Sequence, residues 1–131
     1  MYEMISHLAE NLKTALELPI ENFSPASFKG INNIVFIGMG GSGIVGNVIR
    51  DLIDNVPIFL SKDYHPPAFI DERTLAICIS YSGNTKETLS SFEDVLKKNC
   101  AVLGMTSGWK LLEVLTAENK PFIKLPTGFP P

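Results

Sequence analysis

From residue 31 onward, short uninterrupted apolar runs alternate with segments whose apolar residues recur at helical spacing. A strand that is apolar at nearly every position must be buried on both faces, and crossover helices are the usual way a chain covers both. The runs are "NIVFIG" (33–38), "VPIFLS" (56–61), "TLAICIS" (74–80), "CAVLGM" (100–105) and "PFIKL" (121–125). Between them, Ile44, Val45, Val48, Ile49, Leu52 and Ile53 trace one helix face. Leu89, Phe92, Val95 and Leu96 trace a second, and Leu111, Leu112, Val114 and Leu115 a third. In the loop "KDYHPPAF", Pro66 and Pro67 forbid regular pairing. Ahead of the alternation, Met4, Ile5, Leu8, Leu12, Ala15 and Leu16 predict an amphipathic leading helix over about 3–17, closed by Pro19.

The predicted fold is therefore α/β: a three-layer αβα sandwich on a five-stranded parallel sheet, with the flavodoxin-like strand order 2-1-3-4-5. At 131 residues the chain suits one domain with one core. A net charge of −3, with lysines scattered along the chain, supplies no basic field, so no nucleic-acid partner is expected. No apolar run approaches the length of a membrane span, and the N-terminus lacks the basic-then-apolar pattern of a secretion signal. A cytoplasmic location without membrane association is expected. In adjacent parallel strands, Cys78 and Cys100 fall at opposite ends, about 10 Å apart along the strand axis, and are expected as reduced, buried thiols. The closing "LPTGFPP" reads over 126–131 as a linker after which a second domain is expected.

Three times a Ser-Gly pair follows a predicted strand and opens a predicted helix: Ser42-Gly43, Ser82-Gly83 and Ser107-Gly108. Such a turn can present amide N–H groups, a hydroxyl and the positive end of a helix dipole. In the order 2-1-3-4-5, strands one and three are neighbours. "GMGGSG" (38–43) and "SYSGNT" (80–85) should then flank one crevice beyond the carboxyl ends of the strands. A phosphate monoester fits it. Gly40 and Gly41 allow close approach of the main chain, while Ser42, Ser80, Ser82 and Thr85 offer hydroxyl donors. No P-loop lysine is present, and neither a metal nor a cofactor is expected. A capping reading stands beside this, with Asn84 and Glu87 forming a variant capping box. His7, off the apolar stripe, and His65, in the proline loop, read as structural. A dinucleotide reading of the glycines is the runner-up. It wants an acidic residue at the end of the second strand, and Asp63 comes about five residues late for that role.

The motifs "IGMGGSG", "ISYSGNTKET" and "TSG" resemble the sugar isomerase (SIS) domain from about residue 30 to the end of the chain. With "KLLEVLTAENKPFIKLPTGFPP" they are similar specifically to the N-terminal half of the bifunctional phosphoglucose/phosphomannose isomerase family. The resemblance implies a hexose 6-phosphate ligand contacted by Gly40, Gly41, Ser42, Ser80, Ser82 and Thr85. It also implies aldose–ketose isomerisation through an enediol, with the Glu base and ring-opening His supplied by a second SIS domain. An Arg just after a "PP" pair would stabilise the enediolate. No catalytic residue is therefore assigned within this chain, which is expected to be inactive alone. Trp109 departs from the family pattern, where a second glycine is frequent. SIS domains also serve as non-catalytic sugar-phosphate sensors, usually beside a DNA-binding segment that this sequence does not show. The apolar stripe of the leading helix suggests a homodimer, with packing on its own sheet equally allowed.

Overall fold

The computed structural model describes residues 8–128, so Met4, Ile5 and His7 of the expected leading helix lie outside the described residues. Its elements are α1 (Leu8–Leu16), a 3-10 turn (Pro25–Phe28), β1 (Asn33–Ile37), α2 (Gly40–Leu52), β2 (Ile58–Ser61) and β3 (Thr74–Ile79). These are followed by α3 (Lys86–Leu96), β4 (Ala101–Thr106), α4 (Trp109–Ala117) and β5 (Phe122–Lys124). The sheet order is β2-β1-β3-β4-β5, with every strand pair parallel, as the alternation of runs and helices predicts. No helix among the described residues is long and apolar enough to cross a membrane.

Alternation along the strands divides the interior in two. Val35, Ile37, Ala76, Cys78 and Val102 point to one face, where Phe92 and Val95 of α3 and Leu111 and Leu115 of α4 cover them. Phe36, Ile58 and Ile79 point to the other, with Ile34, Leu60, Ile77 and Met105 only partly buried beside them. The main core thus lies under α3 and α4, and the second face is covered more thinly.

The α2 helix explains that asymmetry. Its buried residues are Gly43 and Gly46, whereas Ile44, Val45, Val48 and Leu52 are exposed, Leu52 at 75%. Most of the apolar stripe read from the sequence faces away from the sheet, while Ile49 packs partly against the Phe36, Ile58 and Ile79 cluster. Gly46 allows this seating: a Cβ there would overlap Leu60 Cδ2 and stand 2.9 Å from Phe36 Cβ. Only a residue without a side chain lets the helix backbone lie this close to the strands. In the described part of α1, Ala15 and Leu16 are also exposed rather than packed on the sheet.

The two cysteines are free and buried, as expected. Cys78 pairs across the sheet with Gly104, and Cys100 precedes the Leu75–Ala101 pair at the far end of the strands. Burial, and secondarily Cys100, pushes the Cys78 thiol far above its ordinary range. Burial likewise raises Cys100, so neither thiol is activated.

Candidate functional site

Because β1 and β3 are adjacent, the turns that leave them meet at the carboxyl end of the sheet. Between them lies a cavity of about 590 Å³, lined by Met39, Gly40, Gly41 and Ser42 of the first turn and Tyr81, Ser82 and Thr85 of the second. Val45, Ile79 and Leu125 complete the wall. No lysine, arginine, carboxylate or imidazole is among these lining residues. The only titratable one is Tyr81, whose hydroxyl donates to the Pro126 carbonyl (3.1 Å).

The first turn is built from backbone. Met39 occupies the N-cap position of α2 without a side-chain cap, and Gly40 takes a left-handed φ of 53°. The earliest helical bond runs from the Gly43 N–H to the Met39 carbonyl (3.3 Å), so the N–H groups ahead of it are left without helical acceptors. The turn therefore meets the cavity with amide protons and the positive end of the α2 dipole.

The second turn is built from hydroxyls that bond one another. Ser80 Oγ lies 2.9 Å from Thr85 Oγ1 and accepts the Gly83 N–H at 3.1 Å, while Ser82 Oγ accepts the Asn84 N–H at 3.2 Å. Ser82 is exposed and Thr85 half-buried, both on the cavity wall. Ser80 is 1% exposed and lies beneath it. Of the six residues singled out in the sequence, five line the cavity and Ser80 supports one of them. The expected capping box is absent. The N-cap of α3 is Thr85, without a side-chain cap bond, because its hydroxyl is turned toward Ser80. The side chain of Asn84 instead accepts the Lys110 N–H (3.4 Å).

The third Ser-Gly turn does not open onto the cavity. Its polar groups are spent on the second turn. The Ser107 hydroxyl and N–H both donate to the Tyr81 carbonyl, and the Leu111 N–H donates to the Gly83 carbonyl (2.9 Å). Loop 80–85 thus stands between the α4 N-terminus and the cavity. Gly83 makes the close contact with its left-handed φ of 75°, where any Cβ would overlap the Gly108 carbonyl. Trp109, at the first position of α4, has a φ of 59° and is 72% exposed. That conformation is uncommon for an aromatic residue.

His65 is not among the residues lining the cavity. Its Nδ1 lies 2.8 Å from Asp94 Oδ2, tying the proline loop to α3. Asp63, the acidic residue that the dinucleotide reading would use, accepts the Tyr64 N–H of its own loop (2.7 Å) and is not among the cavity-lining residues. Sequence reasoning missed Met39, Val45, Ile79, Tyr81 and Leu125 as wall residues. Tyr81 and Met39 sit inside the two motifs and were legible there. Leu125, which follows β5, had no local signal.

The sequence model of the SIS domain matches residues 27–111. The chain belongs to the SIS domain family. It is 34% identical to the bifunctional phosphoglucose/phosphomannose isomerase of Caldicellulosiruptor bescii, a match covering 100% of this chain and 40% of the relative. To the protein of the same name from Thermoplasma acidophilum it is 45% identical, covering 76% of this chain and 31% of the relative. The chain thus spans less than half the length of the curated relatives it matches. Among solved structures, the Vibrio vulnificus NanR protein complexed with ManNAc-6P superimposes with a TM-score of 0.69 at 20% identity. That match covers 92% of this chain and 49% of NanR, and at this identity it speaks for the fold alone.

Proposed function

We propose that this SIS domain grips the phosphate of a hexose 6-phosphate in an aldose–ketose isomerase that interconverts glucose 6-phosphate or mannose 6-phosphate with fructose 6-phosphate. The observation that carries the reading is the meeting of the Gly40–Ser42 and Ser82–Thr85 turns on one cavity whose donors are all neutral. Amide protons and the α2 dipole from one side, and hydroxyls from the other, suit a compact dianion that accepts hydrogen bonds in several directions. The relatives named phosphoglucose/phosphomannose isomerases supply the sugar.

Isomerisation also needs a base within hydrogen-bond reach of the carbon acid. No carboxylate or imidazole lines this cavity, so the base and the ring-opening acid come from outside these walls, from a second SIS domain in this reading. The domain shapes and anchors, and a covering body performs the proton transfer. Homodimer formation in the cytoplasm is part of the same proposal. The outward stripe of Ile44, Val45, Val48 and Leu52 favours an interface on α2, adjoining the cavity through Val45.

The test is a titration of the chain with glucose 6-phosphate and with inorganic phosphate, repeated with Ser82→Ala and Thr85→Ala. Both variants are expected to weaken both ligands by about tenfold, the worth of one charge-assisted hydrogen bond. Unchanged affinity would return these hydroxyls to local loop structure. Efficient turnover of glucose 6-phosphate by the 131-residue chain would refute the division of labour.

A further inference from the structure

The cavity wall carries no charged side chain, yet one cation stands close behind its first turn. Lys62 follows β2, on the far side of β1 from the β3 turn, and is exposed. Its side chain lies along the start of α2. Lys62 Cε is 3.0 Å from where a Cβ on Gly43 would stand, and the Gly38 carbonyl oxygen is 2.9 Å from the same point. The missing side chain of Gly43 thus leaves the space that the lysine stem fills. The ammonium, one bond beyond Cε, is held beside the residue that follows Ser42, a member of the cavity wall.

The free domain gives little in return for that placement. A lysine stem gains by lying on the protein surface, but a cation beside a helix N-terminus is repelled by the helix dipole. Among the described residues, the Lys62 ammonium has no ion-pair partner. The adjacent carboxylate, Asp63, accepts the Tyr64 N–H of its own loop (2.7 Å). An anion at the open end of α2 reverses the balance, because it attracts both the dipole and the lysine.

We infer that Lys62 is an electrostatic residue of the phosphate site: without lining the cavity, its charge raises the affinity of a neutral wall for a dianion. This rests on the phosphate reading above. Because the charge acts at a distance, across the first turn of α2, its effect is large at low ionic strength and screened at high.

The test titrates the chain and its Lys62→Met, Lys62→Glu and Lys62→Arg variants with inorganic phosphate at about pH 8, at ionic strengths of about 20 mM and about 0.5 M. At the lower salt, Lys62→Met is expected to weaken binding about threefold and Lys62→Glu about ninefold, since reversal changes the charge twice as far as neutralisation. Lys62→Arg should stay within about 1.5-fold of the wild type, and at the higher salt all four chains should agree within about 1.5-fold. Methionine keeps an apolar stem on Gly43, so a packing role would produce neither this order nor its dependence on salt. Equal affinities at low salt would overturn the inference. So would a loss on Lys62→Met that survives at high salt, which belongs to direct contact or to packing. If Ser82→Ala weakens phosphate binding while the Lys62 variants do not differ, this inference falls and the phosphate site stands. A wild-type chain that binds no phosphate removes both.

Discussion

The α2 and α3 helices follow the two cavity-lining turns and look alike in sequence, each with apolar residues at helical spacing. They sit on the sheet in opposite ways. The α3 helix buries Thr88, Ser91, Phe92 and Val95, whereas α2 buries two glycines and turns its large side chains outward except for Ile49. Periodicity reveals that a helix has an apolar face but not what that face meets. Where glycines lie on the opposite side, the backbone itself becomes the packing surface. The turns differ in parallel: the first offers unpaired amides at an open helix end, the second hydroxyls already bonded to one another.

Substitutions on the two helices and their turns separate the two arrangements. Phe92→Ala removes the largest fully buried side chain of the α3 face and should cost about 3–5 kcal/mol, measured by urea unfolding. Gly83→Ala should cost about 2–4 kcal/mol, since it combines an unfavourable left-handed φ with overlap on the Gly108 carbonyl. If loop 80–85 could drift away from α4, the measured loss would be far smaller. Gly46→Ala should cost about 1–3 kcal/mol as the added carbon lifts α2 off Leu60 and Phe36. A neutral result would mean that α2 is not held close to the sheet.

By contrast, Val48→Ser on the exposed face of α2 should stay within about 0.5 kcal/mol at concentrations where the chain is monomeric. A loss that grows with protein concentration would instead locate an interface there. The smallest effect belongs to Asp94, whose carboxyl is held below its ordinary range first by the His65 hydrogen bond and then by Lys97, against an opposing desolvation. A depressed carboxyl contributes its stability in full above about pH 4 and loses it as pH falls through the lower folded value. Asp94→Asn should therefore flatten the acid limb of Tm against pH and leave the neutral region nearly unchanged. An identical acid limb would dismiss the pair as a stabilising contact.

The strand order and the meeting of the first two turns were legible because both follow from local alternation and from the chirality of parallel crossovers. Gly40, Gly41, Ser42, Ser82 and Thr85 reached the cavity wall on that logic. What was not legible depended on side chains meeting across the sequence. Asn84 reaches Lys110 instead of capping α3, and Ser107 bonds Tyr81 instead of a ligand. A Ser-Gly pair looks the same in sequence whether its donors face solvent or a neighbouring loop. The outward stripe of α2 was hidden for a related reason, since Gly46 declares its role only once Leu60 and Phe36 are beside it.

The absence of charged side chains from the cavity wall reaches beyond the grip itself. An anion held by neutral dipoles alone keeps its field unbalanced, and that field extends to whatever closes over the mouth. Acidic and imidazole groups brought there would bind their protons more tightly than in water, drawing a carboxylic acid upward toward neutrality. The bare wall would then tune the proton affinity of groups it does not itself contain.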